Sequence, residues 1–172
     1  MIIKNYISEE IVKILLDYAI FLYEPKNEVV FIPSSEYRRR KTIFDIPKEI
    51  YEIKNKLIKD FNIDSDETSD IFFNVLQKNQ RVERHAHKKH ERGSDLRFNI
   101  MLQNSEKGGI PKCEGKCYYP KKGDLWIFNG CKDHETDLIQ GEKTRYIISY
   151  GFITPEITVN KILNFEKKSY LL

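Results

Sequence analysis

The hydrophobic pattern of the chain changes period once, near Asp70. Before that point the apolar residues recur as they do on helices. Ile11, Ile14, Leu15, Tyr18, Ala19 and Leu22 follow the spacing of one buried helix face. Ser8 stands where an N-cap belongs, and Glu9 and Glu10 fall in the first turn, where the helix dipole favours negative charge. Asp45-Ile46-Pro47 signals a second helix, with proline near its first turn and Ile50, Ile53, Leu57 and Phe61 as its apolar stripe. Between the two lies a loop or hairpin, residues 26 to 44, containing NEVVFIP and TIF.

Beyond Asp70, the stretches IFFNVLQ, DLRFNIMLQ, GDLWIF and TRYIISYGFI are short runs of β-branched and aromatic residues. Turn formers separate them: Asn104-Ser105, Gly108-Gly109, Pro120 to Gly123, Asn129-Gly130 and Gln140-Gly141. Two helices followed by a series of short strands predict an α+β fold, with the helices packed on a sandwich or barrel. From Pro155 a weaker helical period (Val159, Ile162, Leu163, Phe165) predicts a tail packed on the outside. Nothing marks an internal boundary, so a single domain is expected over residues 1–172. Residues 1–65 would be helical support, 70–153 the β core and 155–172 the tail.

A chain of 172 residues can bury a core of its own. Its 29 basic and 26 acidic residues leave a net charge of +3, too mild for a protein organised around a phosphate backbone. The basic run Tyr37-Arg38-Arg39-Arg40-Lys41 reads first as a solvated loop, with nucleic acid or another polyanion as the rarer use. No stretch approaches the ~20 apolar residues of a membrane span. The opening MIIKNYISEEIVK lacks the features of a secretory signal. Three cysteines, an odd number, suit a reducing compartment. A soluble cytoplasmic protein with no membrane partner is the expectation.

Candidate chemistry gathers in RVERHAHKKHERG, which holds three of the four histidines, His85, His87 and His90. His85 and His87 flank one residue, so on a strand both side chains share a face and can present two ligands to one metal. His90 is out of phase and belongs to the turn that follows. Composition alone gives the plainer reading of a wet basic loop, because Arg81, Arg84, Lys88, Lys89 and Arg92 surround the pair. His134, in CKDHETD, is the candidate partner.

Arg145 lies eleven residues beyond His134, at the start of an apolar strand. There Arg145, Ile147 and Ser149 share one face, and Tyr146, Ile148 and Tyr150 the other. A guanidinium on so apolar a strand calls for an anion, since an unpaired buried charge is very costly. The plainer alternative is an arginine that reaches water or a structural carboxylate. Arg97 and Asn99 share a face of DLRFNIML, opposite Phe98, Ile100 and Leu102, and either meet solvent or hold an anionic group. Trp126 and Phe128 share a strand face and read as core.

These residues, in this order, resemble an iron(II)- and 2-oxoglutarate-dependent oxygenase with a double-stranded β-helix core, the jelly-roll also seen in cupins. The small aspartyl/asparaginyl-hydroxylase-like and prolyl-hydroxylase-like members are the nearest in kind. KNYISEEIVKILLDYA resembles the family's opening strand and helix. RFNIML, the glycine pair, GDLWIF, the distal His-Glu and RYIISYGF resemble its core, most strongly from 80 to 153. The resemblance implies that His85, His87 and His134 hold iron(II), and that Arg145 binds the far carboxylate of 2-oxoglutarate. Arg97, Asn99 and Ser149 are further candidates for holding that co-substrate. It implies a dioxygenase that hydroxylates its substrate and releases succinate and carbon dioxide. The substrate class, whether small molecule, protein or nucleic acid, is not selected by fold-level likeness.

One departure stands out. The family's first motif is His-x-Asp, or sometimes His-x-Glu, whereas here His87 falls in the carboxylate's place. A neutral imidazole there raises the charge of the metal site by one relative to two imidazoles and a carboxylate. The register could instead slip, with His87 as first ligand and Glu91 or Asp95 completing the set, or two histidines could serve alone. Two rival readings keep other residues. Cys113, Cys117, Cys131 and His134 have spacings near those of a structural zinc module, although the first pair is spaced by three residues. His85, His87, Glu91 and His134 match a cupin's first motif plus a distal histidine, without 2-oxoglutarate. Arg145 discriminates, because only the 2-oxoglutarate enzyme requires such a cation.

Overall fold

The computed structural model describes residues 1–23, 29–32, 46–63 and 70–164. The first helix, α1 (Glu9–Leu22), starts where Ser8 Oγ accepts a hydrogen bond from the Ile11 N–H at 3.3 Å. It buries Val12, Leu15 and Ala19, with Ile11, Ile14, Tyr18 and Leu22 half-buried beside them. The buried face therefore centres on Val12, which the sequence pattern had left out. Helix α2 (Lys48–Phe61) follows Pro47 and ends at Asn62, whose left-handed φ of 48° stops the helix. It buries Ile50, Tyr51, Ile53 and Leu57, and the Phe61 ring lies 5.0 Å from that of Phe98. Helix α3 (Glu156–Leu163) follows Pro155 and buries Val159 and Ile162, in line with the expected tail. Asp45, the basic run Arg38 to Lys41 and Phe165 lie outside the described residues.

The strands are β1 (Ile2–Ile3), β2 (Val29–Ile32), β3 (Ile71–Leu76), β4 (Ser94–Gln103), β5 (Pro111–Cys113), β6 (Lys116–Cys117), β7 (Leu125–Asn129), β8 (His134–Thr136) and β9 (Arg145–Thr154). Six form an antiparallel sheet in the order β1-β7-β4-β9-β3-β2, and three form a small antiparallel sheet, β6-β5-β8. The strand VVFI, within the segment expected to be loop or hairpin, is the edge strand β2.

Alternation along β4 and β9 sorts their side chains onto two faces. Phe98, Ile100, Ile148 and Tyr150 enter the main core with Val12, Leu15, Ile50 and Leu57 of the helices. Tyr150 also donates its hydroxyl to the Ile50 carbonyl at 3.1 Å, tying the sheet to α2. On the opposite face Met101, Trp126, Phe128 and Ile147 pack with Cys113 of the small sheet as a second, smaller cluster. The molecule is thus a mixed α and antiparallel β fold, with helices on one face of a large sheet and a small sheet over the other. Among the described residues, no helix is long and apolar enough to cross a membrane.

Candidate metal centre and its cleft

The face of the large sheet that the helices leave open lines a cleft of about 590 Å³. Three histidines stand at its rim. The backbone of His85 pairs antiparallel with that of His134, through N–H to carbonyl bonds of 3.1 and 2.8 Å. His87 N–H donates to the Gly130 carbonyl at 2.9 Å, which holds the next alternate residue against the turn between β7 and β8. The HAH segment is therefore an extended arm bridged to the start of β8 rather than a full strand. Alternation still directs both side chains to one side, as strand geometry requires.

The three rings converge. His85 and His134 have ring centroids 4.2 Å apart, His87 and His134 4.9 Å, and His85 and His87 5.3 Å. One ligand atom from each lies within 4.8 Å of the others. In every ring Nδ1 faces an acceptor: the Glu83 carbonyl at 2.7 Å for His85, Asp95 Oδ2 at 2.5 Å for His87, and the Lys132 carbonyl at 2.8 Å for His134. A carbonyl or carboxylate can only accept, so each Nδ1 carries a proton, and the neutral form of each ring has its lone pair on Nε2. Burial, with a smaller contribution from the neighbouring histidines and Arg97, pushes the His134 imidazole down to about 4, so it is neutral at pH 7. Three imidazoles with outer partners on Nδ1 are the donor set of a nitrogen-ligated divalent metal.

Asp95, one alternative for the third ligand, sits on the far side of the His87 ring from Nε2. Glu91 is exposed in the turn after His90, and among the described residues it joins no converging group of potential ligands. His90 pairs with Gly93 across that turn, as its phase had implied.

Deeper in the cleft lies Arg145. It is 2% exposed, and burial lowers its guanidinium to about 10, which still leaves it charged. Nη1 donates to Asn74 Oδ1 at 3.2 Å, the guanidinium lies 6.0 Å from the Trp126 ring centroid, and Nε has no partner. No carboxylate pairs with it among the described residues. Gly109, at φ 71°, makes room for it: a Cβ there would fall 3.1 Å from the Arg145 Cδ. Asn99, with Oδ1 also unpaired, and Ser149 face each other across β4 and β9 between this cation and the histidines. Both are buried and line the cleft.

Arg97 departs from expectation. Rather than waiting for an anion, it donates from Nε and Nη2 to Asp95 Oδ2 at 2.8 and 2.6 Å, and from Nη1 to Asp70 Oδ1 at 2.6 Å. Trp126 and Phe128 are buried in the smaller core cluster, as expected, and they also wall the cleft, with Phe128 5.0 Å from the His134 ring. The period-2 pattern places both on the face of Asn99 but cannot say which face a helix covers. Asp95 and Gly130 went unread as a unit, because only the closed sheet brings them to His87.

The cysteines do not assemble as a zinc module. Lys112 pairs with Cys117 and Cys113 with Lys116, so Cys113 and Cys117 point to opposite faces of the β5–β6 hairpin. Cys131 lies instead against Asp95, whose N–H reaches its sulfur at 3.4 Å. Exchanging both Cys113 and Cys117 for serine is accordingly expected to leave metal binding at the histidines within about threefold of wild type, as read by calorimetry. Stoichiometric zinc released on unfolding the wild-type protein would reverse this assignment.

No family model matches the sequence, and no curated protein is similar to it. Solved structures are similar in fold. The viral collagen prolyl hydroxylase from Paramecium bursaria Chlorella virus-1, in its 2-oxoglutarate complex, aligns with TM-score 0.66 and 16% identity over 88% of this chain and 93% of that one. A Pseudomonas putida prolyl-4-hydroxylase aligns with TM-score 0.60 and 12% identity over 90% and 91%. HygX from Streptomyces hygroscopicus, with nickel and 2-oxoglutarate bound, aligns with TM-score 0.63 and 11% identity over 90% and 81%. The chain has the fold of these hydroxylases and of HygX.

Proposed function

We propose that the protein is an iron(II)- and 2-oxoglutarate-dependent dioxygenase, a hydroxylase on a jelly-roll core. The observation that carries this reading is the meeting, in one cleft, of three converging imidazoles and a buried arginine with no counter-ion among the described residues. A metal site alone would not call for Arg145, and a structural arginine would have a carboxylate. A dicarboxylate that chelates a metal at one end and carries a free carboxylate at the other matches both. The similar structures with 2-oxoglutarate, iron or nickel bound support the same choice.

In this reading His85, His87 and His134 would hold iron(II), with Nε2 as the available nitrogen of each ring. When bound, iron and 2-oxoglutarate supply the reduction of dioxygen: substrate C–H, dioxygen and 2-oxoglutarate become substrate C–OH, succinate and carbon dioxide. The chain's own work is positioning. Arg145 pairs with the distal carboxylate by charge-assisted hydrogen bonds in a site from which water is largely excluded. Ser149 and Asn99 line the cleft between the histidines and Arg145, and Trp126 and Phe128 would give the bound co-substrate an apolar wall. The class of the substrate, whether small molecule, protein or nucleic acid, is left to a substrate screen. A four-ligand cupin site is disfavoured by the position of Glu91.

The direct test needs no substrate. Titration of 2-oxoglutarate into the iron(II)-loaded protein without oxygen should develop the visible charge-transfer band of the chelate. Metal uptake with no band, at any 2-oxoglutarate concentration, would return the site to the cupin reading.

A further inference from the structure

His87 differs from the other two histidines in what stands behind it. The Nδ1 atoms of His85 and His134 face backbone carbonyls, whereas His87 faces a carboxylate, Asp95, whose side chain is 6% exposed. The pair is built into the backbone as well. A single residue, Gly130, accepts from the His87 N–H at its carbonyl at 2.9 Å and donates its own N–H to the Asp95 carbonyl at 2.7 Å. Glycine leaves the room for this approach, since a Cβ on Gly130 would lie tightly at 3.0 Å from His87 Nδ1 and 3.1 Å from the Asp95 carbonyl oxygen.

Behind Asp95 the network continues through Arg97 to Asp70. Here too a glycine leaves the room: a Cβ on Gly151 would fall 2.3 Å from Asp70 Oδ1 and 2.7 Å from Arg97 Nη1. Two carboxylates and one guanidinium leave a net negative charge on this chain of contacts, and it touches the metal site only through the His87 ring.

Resting on the reading of the three histidines as an iron site, we infer that Asp95 is a positioning residue that supplies, from behind His87, the negative charge a metal-bound carboxylate would otherwise provide. The carboxylate holds the proton on Nδ1, turns Nε2 toward the metal and makes that nitrogen a stronger donor. The imidazole keeps the coordination place, and the charge it lacks is moved to the far side of the ring. This explains why a buried aspartate, an arginine and two glycines converge on one of three otherwise similar ligands. Arg97 keeps Asp95 from turning into the metal site, because it draws on the same oxygen that faces His87.

The test is an Asp95→Asn variant, which retains an acceptor for His87 and removes the charge. Iron(II) alone, titrated without oxygen, should bind roughly 10- to 100-fold more weakly than to wild type. The iron(III)/iron(II) midpoint potential should move positive, because loss of a nearby negative charge penalises the ferric state more. A purely structural role for Asp95 would not move that potential. Affinity within threefold of wild type with an unchanged potential overturns the inference. So does complete loss of iron from a folded variant, which would make Asp95 a direct ligand. Wild-type protein that takes up no iron fails the metal reading itself, a different result from either. If the variant does not fold, wild-type protein labelled with nitrogen-15 in histidine and loaded with zinc(II) gives the same decision. His87 should carry its proton on Nδ1, with the most downfield ring N–H signal of the three. A zinc-bound Nδ1 on His87 overturns the inference.

Discussion

Replacing Arg145 with methionine is expected to abolish 2-oxoglutarate binding while making the ligand-free protein more stable. The two effects have one cause. Arg145 is a charge held 2% exposed, with an amide oxygen as its hydrogen-bond partner and Nε unpaired. Replacing buried charges with apolar side chains of similar volume is often neutral or stabilising by about 1–4 kcal/mol even when the charges are paired. Methionine fills much of the same volume against Trp126 and Ile147. The change leaves the Asn74 oxygen without its donor, a loss of about 1–3 kcal/mol. A net gain of about 1 kcal/mol in the ligand-free state is therefore expected, read as a rise in Tm. Removing one partner of a buried charge pair in the complex costs about 3 kcal/mol or more, which weakens 2-oxoglutarate more than 100-fold. Iron(II) affinity should change by less than threefold, because the histidines do not touch Arg145. Saturating 2-oxoglutarate should raise the Tm of wild type and not of the variant. A variant that is destabilised and still binds 2-oxoglutarate normally would show that Arg145 is structural.

His134→Ala should have the larger effect on turnover. In the proposed site His134 comes from β8 and the other two histidines from one extended arm, so its loss would leave only His85 and His87. Iron(II) affinity is expected to fall by at least about 100-fold, with the charge-transfer band and product formation lost together. The backbone pairing of residues 85 and 134 does not need the ring, so the fold should persist. A pH comparison of the metal-free proteins gives an independent check. The His134 imidazole is held near 4 in the folded chain, below its ordinary value of 6.5. The unfolded chain therefore takes up the proton first, and stability is lost as pH falls from about 6.5 toward 4. Alanine removes that component, so the stability of wild type should fall more steeply than that of the variant across this window in denaturant titrations. Parallel curves would mean that His134 is freely solvated and that the three-ring cluster is looser than described.

Much of the architecture was legible from local rules. Ser8 and Pro47 marked helix starts because a cap and a fixed φ act within a few residues of where they stand. The run TRYIISYGFI read as a strand with two chemically different faces because alternation is a property of the pleat itself, and β9 shows that alternation. Val12 was passed over because helical spacing defines a stripe only to within a residue. The direction in which that stripe faces is set by the sheet beneath it. The short strands β1, β5, β6 and β8 carried too few residues for any period to show.

The sequence by itself determined which residue types were available and on which side of each strand they fell. His85 and His87 share a side, Arg145 and Ser149 share a side, and the chain's regular turns separate the strands that carry them. Only the tertiary structure decided what those sides meet. It set His134 opposite His85, left Arg145 without a counter-ion among the described residues, paired Arg97 with Asp95 and Asp70, and parted Cys113 from Cys117. The physical reason is range. Side-chain direction follows from the dihedral angles of a few neighbouring residues. Strand register, burial and the partner of a charge depend on contacts between segments tens of residues apart, and these exist only once the sheet has closed.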